Sequence, residues 1–232
     1  MSIPTYLTFI PFVNGRELLL KALGSIECMW PNTIVIDNSA QGNLELPEIP
    51  VRIYRPDVPL WFAQSQNLMQ QLAIAANVEV FFFLHHDAQV LGNGAQLFLD
   101  MLEKANPKWG AVFCQNYDCF CCFKTEAIKA VGPWDWQLFP WYYSDSDYYR
   151  RLRLQGYDTL TIPELVVEHH NGGSNSLAQD EELKVKAILL MKYSYHFYII
   201  KWGGEPHSET FNLPYNGNPL KAQQDLEAKI SR

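Results

Sequence analysis

Three short stretches carry residues able to do chemistry. His85-His86-Asp87 closes the apolar run Val80-Phe81-Phe82-Phe83-Leu84, Ser144-Asp145-Ser146-Asp147 sets two carboxylates and two hydroxyls in four positions, and Glu168-His169-His170 follows Val166-Val167. Imidazole and carboxylate groups together can hold a divalent cation, and a cation so held can bind a diphosphate. A positioned carboxylate can take a proton from a reacting hydroxyl. Each stretch also has a plainer reading. His85-His86-Asp87 could simply open a solvated loop, a histidine often only packs or hydrogen-bonds, and acidic or hydroxyl residues ahead of a helix commonly cap it. Positions 144–147 nevertheless hold more capping residues than one helix needs.

The elements that must position these residues are legible from periodicity. Val80–Leu84 reads as a strand buried on both faces of a parallel or mixed sheet, and open α/β sheets place their ligands at the carboxyl ends of such strands. Ahead of it, Tyr6–Ile10 is a strand stopped by Pro11, Arg16–Ile26 has helical spacing, Thr33–Ile36 and Val51–Tyr54 are strands, and Ser65–Ala76 is a helix. After it come a helix over Ala95–Ala105 and short strands at Ala111–Phe113 and Cys119–Phe123. A helix over Thr125–Ala130, an aromatic loop from Trp134 to Tyr143, a helix over Asp147–Leu154 and a strand over Thr159–Val167, interrupted by Pro163, complete this part. A helix over Glu181–Ile200 leads into an aperiodic tail. The pattern predicts one α/β domain over 1–232: a Rossmann-like nucleotide-binding half over about 1–108 with a central mixed sheet, and a smaller half over about 109–232.

Composition excludes other classes. A formal charge of −7 argues against a nucleic-acid partner held by bulk electrostatics. No run of about 18 apolar residues predicts a transmembrane helix, and Met1-Ser2-Ile3-Pro4 does not resemble a signal peptide, so a cytoplasmic protein is the default expectation, with room for work at a membrane surface. Of five cysteines, Cys114, Cys119, Cys121 and Cys122 lie within nine residues. Adjacent Cys121 and Cys122 on a strand would face opposite ways, so small apolar core residues are expected rather than a zinc site.

Several stretches together resemble family 2 glycosyltransferases with the GT-A fold. Phe9-Ile10-Pro11-Phe12-Val13-Asn14-Gly15-Arg16-Glu17 looks like that family's first strand and loop, and Ile34-Val35-Ile36-Asp37-Asn38-Ser39 its second strand. Trp61-Phe62-Ala63-Gln64-Ser65-Gln66-Asn67 is similar to its loop and helix ending in Asn, and Phe83-Leu84-His85-His86-Asp87 occupies the place of its DXD motif. The acceptor-side signature is matched by Val131-Gly132-Pro133-Trp134-Asp135 through Tyr143-Ser144-Asp145-Ser146-Asp147 and Arg151–Tyr157. Val166-Val167-Glu168-His169-His170-Asn171-Gly172-Gly173-Ser174 resembles the terminal His-Gly-Gly segment, and Lys201-Trp202-Gly203-Gly204-Glu205 a tail of rhamnosyltransferase-like bacterial or viral members. The sequence departs from the pattern at His85, where the first Asp of DXD is expected, and at Ser144, where an acidic residue usually precedes the catalytic Asp.

The resemblance implies a hexosyl- or deoxyhexosyltransferase of polysaccharide biosynthesis, moving a sugar from a UDP-, GDP- or dTDP-linked donor to the hydroxyl of a carbohydrate, glycolipid or glycoprotein. The reaction would be inverting and assisted by Mn²⁺ or Mg²⁺. It makes Asp145 the base and Asp87 the metal ligand, with His169, His170 or His207 as the second ligand. Only one of the adjacent pair His169 and His170 would point inward. Donor contacts would come from Pro11, Asn14, Asp37, Arg55, Asn67, His86 and Asp118. Trp134, Trp141 and Tyr143 would offer faces to the acceptor, although aromatics at this density also simply make core. The competing expectation is a nucleotide-sugar or carbohydrate-binding protein on the same fold that has lost catalysis. A nucleotidyltransferase ranks last, since Pro11–Gly15 is not the Gly-rich basic loop it would need.

Overall fold

A computed structural model describes residues 4–102, 108–170 and 181–220. Seven strands form one sheet. In chain order these are β1 (Tyr6–Phe12), β2 (Thr33–Asp37), β3 (Arg52–Tyr54), β4 (Val80–Leu84), β6 (Trp109–Cys114), β7 (Tyr117–Lys124) and β8 (Asp158–Thr161), arranged β3-β2-β1-β4-β7-β6-β8. The first four run parallel, β7 is antiparallel to both β4 and β6, and β8 is parallel to β6. A separate two-stranded ribbon pairs β5 (Ala88–Val90) with β9 (Val167–His169).

The central strand β4 is buried at every position, and its alternation feeds two cores. Val80, Phe82 and Leu84 join one, with Ile10, Phe98, Phe120 and Cys122; Phe81 and Phe83 join the other, with Phe9, Cys121, Phe123 and Trp134. Helices α1 (Arg16–Gly24) and α3 (Gly94–Leu102) cover the first face. Helices α2 (Phe62–Ala75), α4 (Thr125–Val131) and α5 (Ser144–Leu154) cover the second. Aromatics of β4 and β7 stack between the two strands, Phe81 on its register partner Phe123 at 5.1 Å and Phe82 on the diagonal Phe120 at 5.8 Å. Cys121 and Cys122 lie on opposite faces, and all four clustered cysteines are buried free thiols, raised in pKa by that burial.

Several boundaries differ from the periodicity, each for a local reason. β1 continues through Pro11 to Phe12, because its register with β4 has already ended at Phe9–Phe83 and the missing N–H removes no bond there. α2 begins at Phe62 rather than Ser65: Gln64 reaches back to accept the Trp61 N–H and completes an earlier first turn. α5 begins at Ser144 rather than Asp147, because Tyr143 adopts a left-handed backbone (φ 62°) that turns the chain three residues sooner. The expected strand 159–167 divides on either side of Pro163, one piece joining the large sheet and the other the ribbon. Residues 103–105 of the helix expected after β5, and Asn171–Ser174 of the His-Gly-Gly segment, lie outside the described residues. Helix α6 (Glu181–Trp202) ends beside α5, where Lys201 Nζ lies 2.7 Å from Asp147 Oδ1 and 2.9 Å from Asp135 Oδ2, and Trp202 Nε1 donates to Asp147 Oδ1 at 2.9 Å.

Candidate active site

The parallel strands β1, β2 and β4 present their carboxyl ends along one edge of the sheet. Because β7 is antiparallel, its amino end (Tyr117, Asp118) comes to that same edge. The chain leaves β4 at His85, whose N–H donates to the Cys119 carbonyl at 2.9 Å, and turns sharply, the Ala88 N–H returning to the His85 carbonyl at 3.1 Å. In that turn His85 and Asp87 share a side. Ribbon pairing of Ala88 with His169 then delivers a third group: His169 Nε2 lies 3.1 Å from Asp87 Oδ1, and His85 Nδ1 lies 3.8 Å from the same oxygen. One ligand atom from each of the three lies within 4.8 Å of the others. The His85 and His169 rings meet edge to face at 5.3 Å, and Phe83 and Phe62 wall the His85 ring.

Electrostatics suit a cation. Burial drives the His85 pKa down to about 4, more than Asp87 raises it, so the imidazole is neutral and one ring nitrogen is available as a ligand. Burial alone would raise the Asp87 carboxyl, but the His169 hydrogen bond and the surrounding imidazoles more than offset it, holding the group below the usual carboxylate range and ionised. Two imidazole nitrogens and one anionic oxygen fit a divalent transition ion.

His85 joins this group although the resemblance marks it only as a departure from the motif. The i, i+2 spacing to Asp87 was the available signal. Of the adjacent pair, His169 turns its ring to Asp87, whereas His170 gives Asp87 its backbone N–H (2.8 Å to the carbonyl). His207 is exposed, with a left-handed backbone, and lies outside the three-residue group. The His86 ring bonds the Pro11 carbonyl and meets Phe12 edge-on at 5.8 Å, which ties the end of β4 to the end of β1.

A second pair of ionisable groups borders the first. Asp145, in the first turn of α5, and Asp118, at the start of β7, both have raised pKa values. Burial is the largest cause for each, and repulsion from Asp118 adds to it for Asp145. Tyr149 donates to Asp118 Oδ2 at 3.0 Å, and the Tyr117 phenol, carried on a left-handed backbone (φ 56°), bonds Asp145. Asp118 also feels the charge of His169, so it stands electrically between the His85–Asp87–His169 group and Asp145. Neither Ser146 nor Asp147 caps α5, because Tyr143 holds the cap position. Asp147 is fully buried, receiving Arg151 Nε at 3.0 Å as well as Lys201 and Trp202.

The remaining expected contacts divide. A cleft of about 610 Å³ between the loops after β1 and β2 is lined by Phe12, Asn14, Ser39 and Leu44, at the carboxyl edge of the sheet. Asp37 does not face it. Its buried carboxylate accepts from Ser39 Oγ at 2.6 Å, Ser39 N at 3.1 Å and Leu44 N at 2.9 Å, bonds that with Arg55 outweigh burial and lower its pKa. Asp37 therefore shapes the loop that follows β2. Arg55 also braces this loop, donating to the Gly42 and Leu44 carbonyls. Asn67 has both ends of its amide on the Trp134 backbone. Trp134 is 1% exposed and stacked on Tyr148 at 4.4 Å, so it is core and offers no face to a sugar. Trp141 remains half-exposed, stacked on Tyr142 at 5.1 Å and near the exposed Trp61, while the Tyr143 ring leans on Tyr195 and Tyr198 of α6.

No family model and no curated protein sequence matches the chain. Solved structures do. A mannosyltransferase from Pyrobaculum calidifontis, determined with GDP-mannose and Mn²⁺, superposes with a TM-score of 0.60 at 15% identity, covering 99% of this chain and 80% of that one. GalNAc-T7, determined with UDP, GalNAc and Mn²⁺, gives 0.61 at 16% identity over 97% of this chain, which spans 54% of its length. TarS of S. aureus, as a 1–349 piece, gives 0.57 at 9% identity over 78% of this chain and 64% of the other. Among the described residues no helix is long and apolar enough to cross a membrane. The mixed seven-strand sheet with its flanking helices is therefore that of the GT-A glycosyltransferase structures.

Proposed function

We propose that the protein is a family 2, rhamnosyltransferase-like glycosyltransferase that moves a hexosyl or deoxyhexosyl group from a nucleotide-diphosphate sugar to an acceptor hydroxyl with inversion. The observation that carries this reading is the convergence of His85, Asp87 and His169 at the carboxyl edge of a GT-A sheet. These three would hold the metal, which when bound supplies positive charge against the departing diphosphate. With two imidazoles in the set, Mn²⁺ suits the site better than Mg²⁺.

The chain's own groups supply the rest. Asp145 is the base: the acceptor oxygen forms its bond to the anomeric carbon, its proton passes to the Asp145 carboxylate, and the nucleoside diphosphate leaves with the bonding pair of the broken C–O bond. Burial and Asp118 keep Asp145 basic enough to take that proton. Tyr117 orients the carboxylate, and the loops lining the 610 Å³ cleft receive the nucleotide. The mannosyltransferase and GalNAc-T7 neighbours, solved with nucleotide or nucleotide sugar and Mn²⁺, support the same donor class here.

The test is a melting-temperature panel of UDP, GDP, dTDP and CDP with and without Mn²⁺, since a ligand of the folded state raises the melting point by mass action. One nucleotide stabilising the protein in a Mn²⁺-dependent way, with donor turnover lost in Asp145→Asn, is the expected result. No shift with any nucleotide sinks the donor site, and a shift without turnover leaves a binding protein.

A further inference from the structure

A second cleft lies away from the loops that follow β1 and β2. It measures about 810 Å³, within the roughly 300–1,000 Å³ typical of ligand pockets, and lies between the loop after β3, the outer face of α2 and the loop 133–137. The mechanism above makes no use of it.

Its construction follows from helix periodicity. Gln64, Asn67, Leu68 and Gln71 occupy i, i+3, i+4 and i+7 of α2, one stripe along the helix, while Ala63, Gln66, Met69, Gln70 and Ala73 turn inward. Two large aromatics stand among its lining residues although water reaches them, Tyr54 at 39% and Trp136 at 43% exposure. Trp136 contrasts with Trp134 two residues earlier, which is wholly buried.

The charges limit what can bind. Among the described residues Arg151 is the one cation lining the cleft, and each of its three nitrogens makes a bond, to Asp147 Oδ2, the Val131 carbonyl and the Pro133 carbonyl. Asp135 is held by Lys201, which leaves Asp57 as an exposed carboxylate among amides. An anion would have to compete with the buried Asp147 carboxylate for the Arg151 guanidinium. Side-chain amides and a carboxylate beside accessible aromatic rings are groups that bind vicinal hydroxyls and pack against the C–H face of a pyranose.

Contacts also run from the walls of the cleft to the site. Phe62, in the first turn of α2, walls the His85 ring, and Asp135 is bridged through Lys201 to Asp147, two residues from Asp145. We propose that this cleft is a binding subsite for a neutral oligosaccharide, holding sugar units remote from the one that reacts, so that the acceptor is a glycan chain rather than a monosaccharide. The identification of this glycan as the acceptor rests on the transferase reading; the cleft's affinity for neutral saccharide does not.

Affinity electrophoresis of the full chain through gels containing neutral glucans, mannans, xylans and galactans tests it, with calorimetry on oligomers of the retained polymer. One polymer class should retard the wild type, and Trp136→Ala and Gln71→Ala, both at exposed positions, should each weaken oligomer binding at least tenfold with an unchanged melting temperature. Retardation by none of the polymers overturns the proposal, as does retardation that both variants leave intact. The nucleotide melting panel separates the two readings. A nucleotide shift without glycan retention removes only the cleft, and glycan retention without a nucleotide shift removes only the transferase.

Discussion

Lys201→Met is the most informative single change in the scaffold. Lys201 is 5% exposed, and its ammonium is the cation that α6 lends to Asp147, which is fully buried, and to Asp135. Methionine keeps the stem's volume and removes the charge, so the cost is electrostatic rather than a cavity. Removing one partner of a buried ion pair typically costs about 3–5 kcal/mol. Asp147 would still accept from Arg151 Nε and Trp202 Nε1, which places the loss near the lower end, about 3 kcal/mol. For a chain of this length that lowers the melting temperature by about 6–12 °C. Adding Asp147→Asn removes the stranded charge, so the double variant should be less destabilised than the sum of the singles, with a coupling of about 1–3 kcal/mol. Urea and thermal unfolding of the four proteins measure this. A Lys201→Met protein that melts with the wild type, or strict additivity in the cycle, would refute the claim that this network fastens the first turn of α5.

Other outcomes follow from the site. His85→Ala should weaken Mn²⁺ binding by at least about tenfold, as should Asp87→Ala and His169→Ala, whereas His207→Ala should not; Mn²⁺ titration by calorimetry decides. Asp145→Asn should lower kcat by roughly 10²–10⁴ while leaving nucleotide binding in place, and a variant with near-normal turnover would remove Asp145 as the base. The Asp145 carboxyl is pushed up to about 6 by burial and Asp118, so turnover should rise with pH through that value, and Asp118→Asn should move the limb downward. The sign for stability is opposite: the folded state holds its proton more tightly than the unfolded chain, so this group's contribution falls as pH rises toward 6. Trp134→Ala should act through stability, at about 3–5 kcal/mol for an emptied aromatic core position, and an effect on acceptor KM without a drop in melting temperature would contradict its placement in the core.

Much of the scaffold could be read from residue order. Apolar runs and their periods located β4 and the helices over Arg16, Ser65 and Thr125 to within a few residues, because local side-chain direction alternates with a known period in strand and helix. The same alternation placed Cys121 and Cys122 on opposite faces before any contact was known. It could not reveal that His85 joins Asp87 and His169, since that depends on Ala88 pairing with His169 some eighty residues away and on the turn that brings His85 round. Nor could it show that Asp37, Arg55 and Asn67 spend their hydrogen bonds on neighbouring backbone, or that Trp134 is core while Trp136 meets water. Periodicity says which way a side chain leaves its own element; which group it then meets is set by register and packing between elements distant in the chain, and those are properties of the tertiary structure.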